Sequence, residues 1–137
     1  MADSNVDLIV AQLNTIMAAV TGISKVTSYE PLFLDQYNSA SIWWAGARFE
    51  EQSVGMIEAH YQFVVQINVY LGSGVEAQTT LKDVVVKATQ TLNANHDLNS
   101  TCLYHRIEEV TNMFVQQNNV TYAVGMITLT AIKEEVI

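Results

Sequence analysis

One cysteine and one proline occur in this chain of 137 residues, and only 15% of its positions carry a charge. The lone cysteine, Cys102, excludes an internal disulfide and any multi-cysteine zinc or iron–sulfur site, and gives no argument for an oxidising compartment. Cations are scarce as well. Lys and Arg number 6 against 14 Asp and Glu, a formal charge of -8, whereas affinity for a phosphate backbone rests on clustered Lys and Arg. Tight nucleic-acid binding is therefore not expected. An ordinary soluble domain is about 25% charged, so the deficit implies that uncharged surface is covered by other chains. The sequence points first to self-association.

Long apolar runs are also lacking. The stretch from Val110 to Ile132 is free of Asp, Glu, Lys and Arg and is long enough to span a bilayer. It contains Asn112, Gln116, Gln117, Asn118 and Asn119, which are costly in hydrocarbon, so it reads as a β-hairpin. The opening Met1-Ala2-Asp3-Ser4-Asn5 is polar and acidic, unlike the basic start and apolar run of a secretory signal. The length suits one domain, residues 1–137, which would bury roughly two thirds of the surface its unfolded chain exposes.

What is present is a clear succession of periods. Val6, Ile9, Val10, Leu13, Ile16, Met17 and Val20 recur at three and four, predicting a helix from Ser4 to Thr21, capped by Ser4 with Asp7 and stopped at Gly22. A short strand from Ile23 to Glu30 ends at Pro31, and 35–39 reads as an exposed connection. Two β-rich stretches follow, Ser41–Gln52 and Met56–Leu71, with Tyr61, Phe63, Val65, Ile67, Val69 and Leu71 alternating against a mainly polar set. Ser73 with Glu76 caps a second helix to Ala94, whose stripe is Leu81, Val84, Val85, Ala88 and Leu92. A last hairpin runs from Thr101 to Gln116 and from Val120 to Lys133, turning at Gln117-Asn118-Asn119. The expected fold is α+β: an antiparallel sheet of four or five strands with two amphipathic helices packed on one face.

Chemistry-bearing patterns are weak. His60, His96 and His105 have no ligand spacing, and Cys102 and His105, three apart on an expected strand, would point to opposite faces. Gly72-Ser73-Gly74 lacks the Lys of a phosphate loop, and there is no Gly-x-Ser-x-Gly turn. No catalytic residue, metal or cofactor is expected. The acidic pairs Glu50-Glu51, Glu108-Glu109 and Glu134-Glu135 alternate in facing along strands, so each pair fails to present two facing carboxylates and reads as a solvated rim. Trp43-Trp44 is more informative. On a strand, one indole enters the core and the other lies on the opposite face, where an exposed Trp favours an interface; a loop over the sheet edge, burying both, is the alternative. Phe33 and Tyr37 join Trp43 and Trp44 as expected interface residues.

The helix ending at Gly22, the hairpin closing in Gln62-Phe63-Val64-Val65-Gln66-Ile67-Asn68-Val69-Tyr70-Leu71, the capped second helix and the final hairpin from Tyr104-His105-Arg106-Ile107 to Ile127-Thr128-Leu129-Thr130-Ala131-Ile132 together resemble the tail terminator proteins of long-tailed bacteriophages. The resemblance is one of layout over nearly the whole chain. It implies a non-enzymatic virion subunit, assembled in the host cytoplasm, that forms a hexameric ring on the tail tube, ends tube growth and presents the surface joining the neck of the head. Its partners would be copies of itself, the tail tube protein and a neck or head–tail connector protein, with DNA passing through the lumen unbound. Head-to-tail ring contacts need two different patches. A lumen lined by some of Glu50, Glu51, Glu108, Glu109, Glu134 and Glu135 would repel passing DNA. The competing readings are another neck, stopper or tube subunit, a generic oligomeric adaptor of a bacterial host, and, from a different class, a small ligand-binding or hot-dog-like enzyme domain with an apolar pocket and a convergent acid or base.

Overall fold

The computed structural model describes residues 5–28, 38–70, 74–117 and 120–136. The predicted succession is present: α1 (Asn5–Ala18), β1 (Lys25–Thr27), β2 (Ser39–Ser53), β3 (Met56–Tyr70), α2 (Gly74–Ala94), β4 (Tyr104–Gln117) and β5 (Val120–Val136). The five strands form one sheet in the order β1-β2-β3-β5-β4. The predicted caps Ser4 and Ser73 lie outside the described residues, as do Phe33 and Tyr37.

The sheet is mixed rather than wholly antiparallel. β1 runs parallel to β2, with Lys25 beside Ser39 and Thr27 beside Ser41, and Thr27 donates its hydroxyl to Ser41 Oγ at 2.9 Å. A parallel neighbour needs a crossover of about a dozen residues, and the connection between Thr27 and Ser39 has that length. The other three pairings are antiparallel.

Register sorts the strands into two faces. Ile42, Val65 and Ile127 lie in one row, as do Trp44, Phe63, Leu129 and Ile107. The stripes of both helices are buried as the spacing predicted: Ile9, Leu13, Ile16, Met17 and Val20 after α1's start, and Leu81, Val84, Val85, Ala88 and Leu92 in α2. They form one core with Phe63, Val65, Ile67, Ile127 and Leu129. Each fully buried Leu, Ile or Phe in it contributes about 1.5–3 kcal/mol of transfer free energy.

Two glycines set the close contacts. Gly22, at φ +102°, reverses the chain after α1, and a Cβ there would stand 2.7 Å from Val84 Cγ2. Gly125 lies inside β5, and a Cβ there would stand 2.7 Å from Val85 Cγ2 and 3.4 Å from Leu81 Cδ1. A strand glycine of this kind lets a neighbouring element approach the sheet; here the element is α2.

One predicted strand start is corrected. The expected strand from Thr101 begins only at Tyr104, because 96–101 is a turn in which Leu98, Asn99 and Ser100 all have positive φ. Burial of Leu98, fully removed from solvent, holds that turn against the core. Cys102 therefore lies before β4, not on it, and the alternation argument that separated it from His105 does not apply.

Candidate functional site

Neither tryptophan enters the core. Trp43 is half-buried opposite Val64, and Trp44, opposite Phe63, is 50% exposed. The β2 ladder shifts register between Trp44 and Gly46. A bulge of this kind bends the strand, and beyond it β2 is exposed. Trp44 instead borders a groove of about 600 Å³ along α1 with Val6, Val10 and Asn14. The alternative of a loop burying both rings is excluded by the strand pairing.

The acidic residues separate by face. Glu135 is half-buried and accepts hydrogen bonds from Tyr61 Oη and Asn5 Nδ2. Desolvation by burial, then the bond and charge of Glu135, push the Tyr61 hydroxyl up to about 12. Glu51, Glu109 and Glu134 are exposed. Glu50 and Glu108 take part in a polar groove that the sequence did not reveal.

That groove, of about 340 Å³, lies on the sheet face opposite the Phe63 row and is lined by Arg48, His60, Gln62, Arg106, Glu108, Thr128 and Thr130. Arg48 and Glu50 are two apart on β2 and pair at 3.2 Å. Arg106 and Glu108 flank a bulge on β4, where Arg106 Nε donates to Glu108 Oε1 at 2.7 Å. This bond, with a second from Thr130, holds the Glu108 carboxyl below its usual range, and the Arg106 guanidinium is raised in turn. β2 and β4 are antiparallel to each other across β3 and β5. Arg48 accordingly senses Glu108 and Arg106 senses Glu50 across the groove.

At the groove's end, Glu50 stands directly opposite Glu58, which stands opposite Glu134. The adjacency argument that no two carboxylates face each other holds within each dipeptide and fails across strands. His60 is only 6% exposed, and its Nε2 lies 2.8 Å from Glu58 Oε1 and 3.7 Å from Glu50 Oε2. Donor atoms of the three residues fall within 4.8 Å of one another, a set that could take a divalent cation. Two features oppose that use: Arg48 already occupies Glu50, and His60 Nδ1 has no partner among the described residues where a ligating histidine usually donates to one. The arrangement is accounted for by His60 Nε2 donating to Glu58 while Glu50 pairs with Arg48.

A second, apolar groove of about 310 Å³ lies between α2 and β4, with Val85, Val86 and Val110 in its wall and Lys82 its one ionisable lining residue among those described. It carries no convergent acid or base. His105 lies at the start of β4; the imidazole Nδ1 is 3.1 Å from the His96 carbonyl and so donates to it, while burial lowers the ring below its ordinary range. Burial and the charge of Asp97 push the Cys102 thiol up to about 11. Both side chains are buried.

Among the described residues, no strand pairs with the outer side of β4, and β1 covers β2 only at Ser39–Ser41. Exposed apolar side chains cluster on these edge strands: Trp44 and Phe49 on β2, Val110, Met113 and Phe114 on β4. No protein-family model matches the chain, and no curated protein matches it. No helix among the described residues is long and apolar enough to cross a membrane.

Proposed function

We propose that this chain is a structural subunit of a phage tail: it closes into a ring, a hexamer by the resemblance, that caps the tail tube, ends its growth and offers the attachment surface for the neck or head. The observation that carries the self-associating part of this reading is the pair of long strand edges that no strand among the described residues covers, dressed with exposed apolar residues. An edge of this kind is a template for pairing with another chain unless it is blunted. The polar groove lies on the sheet face opposite the Phe63 row, and among the described residues the two edges have no strand beside them to exclude a neighbour.

The electrostatics fit the same role. A formal charge of -8 per chain makes a strongly negative ring, and the two arginines of the groove are each engaged by a glutamate. DNA moving through such a ring meets few free cations. The terminator role itself rests on the layout resemblance. It is non-enzymatic, takes no cofactor, and places the protein in the virion at the junction of tail tube and neck protein.

Deletion of the gene from its phage tests the reading. Overlong or headless tails are expected; normal tails joined to heads would refute it. Electron microscopy of the purified protein separates the rivals, since closed rings suit a cap or neck ring and long tubes would identify a tube subunit.

A further inference from the structure

We infer that the ring is built by continuing the sheet from copy to copy, with the outer edge of β4 pairing antiparallel to the segment of β2 from Ile42 to Ser53, uncovered among the described residues, of the next copy. The inference rests on the reading of the chain as a ring subunit and specifies the contact. The partner is a second copy because the two edges match each other in chemistry and direction. β2 and β4 run antiparallel within one sheet, so a rotation that brings one copy's β4 to another's β2 about an axis along the strands leaves them antiparallel. The contact is head to tail and repeats around a closed ring.

One register satisfies three side-chain relationships at once. Setting Arg106 opposite Glu50 also sets Glu108 opposite Arg48, opposite charges in both cases, and carries Met113 to Trp43 at the apolar end. Each strand holds one register shift in the interval, between Trp44 and Gly46 on β2 and between Ile107 and Glu109 on β4. The two shifts therefore compensate and the register is kept along the edge. Arg106, Glu50 and Trp43 share the groove face, so the pairs meet on one side of the joined sheet. Opposite charges facing across strands favour this register, and like charges disfavour its neighbours. Exposure agrees: Met113 is 44% exposed and the groove's charged pairs lie at the solvent. β1 limits the contact by occupying β2 at Ser39–Ser41.

Disulfide trapping of the full-length protein tests it. Facing residues of antiparallel strands have Cα atoms about 4.5–5.5 Å apart, within disulfide reach. Under mild oxidation, the Trp43→Cys/Met113→Cys double variant should give a ladder of covalent oligomers, and neither single variant nor the wild type should. A companion pair guards against a folding defect in the cysteine variant: Arg106→Glu should reduce ring formation at least tenfold at equal helical circular dichroism, and adding Glu50→Arg should restore most of it. Closed rings without a double-variant ladder would overturn the edge pairing while leaving the ring reading intact. A covalent dimer from Met113→Cys alone would also overturn it, by showing β4 against β4. A ladder of open chains from a protein whose deletion leaves tails normal would support the pairing and refute the terminator reading.

Discussion

Glu50 of β2 and Glu58 of β3 face each other as direct cross-strand partners, with the nearly buried imidazole of His60 reaching both carboxylates. Two like charges at this position disfavour pairing, and the donor from His60 offsets that. His60→Ala should therefore lower stability by about 1–3 kcal/mol, read from urea unfolding. Adding Glu58→Gln should recover part of the loss by removing the repulsion; no recovery would mean that packing alone explains His60.

Gly125 admits α2 to the sheet. Its alanine variant would press a methyl against Val85 and Leu81, with Asn112 Oδ1 at 3.1 Å on the other side. Overpacking of this kind costs about 1–3 kcal/mol. A melting temperature unchanged in Gly125→Ala would show that α2 can move away from the strand without loss.

Alkaline pH should unfold the protein through two buried neutral groups. The Tyr61 hydroxyl is raised from 10.0 to about 12 and the Cys102 thiol from 9.0 to about 11. In each case the unfolded chain loses its proton first, so the stabilisation is fully present below the unfolded value and disappears as pH rises through the folded one. The denaturation midpoint should fall between about pH 9 and 12. Tyr61→Phe should flatten the upper part of that fall, and Cys102→Ser the lower part.

Acid should act through His105. Burial lowers its folded value below 6.5, so its neutral form contributes stability above that pH and the contribution is lost as pH falls. His105→Gln should show a shallower loss of stability from pH 7 to 5 than the wild type, measured by thermal melts across that range.

Trp44 is half exposed on an edge strand and Trp43 is half-buried beside it. Replacing both by Ala should reduce ring assembly, seen by light scattering, much more than it shifts the unfolding midpoint. A large loss of stability with intact rings would return the two side chains to a packing role.

The helices and the central strand β3 were legible because each has a dry side. Three-and-four spacing through Ile9, Leu13 and Met17, and alternation through Phe63, Val65 and Ile67, are direct imprints of burial on one face. Composition likewise carries the expectation of a chain with surface to share. Charge deficit and period are local or summed properties, and the sequence holds them without reference to partners in space.

The groove was not legible for the opposite reason. Glu50, Glu58 and His60 meet only because β2 and β3 pair in one register, and Arg48 senses Glu108 only because β5 enters between β3 and β4. The parallel placement of β1 depended in the same way on where a crossover returned the chain. Sequence by itself determined which residues seek the interior and which elements they form, since those preferences act within a few residues. Tertiary structure alone decided which strands lie side by side, because pairing brings together residues far apart in the chain, and that choice placed the charges and set β2 and β4 at the sides of the sheet among the described residues.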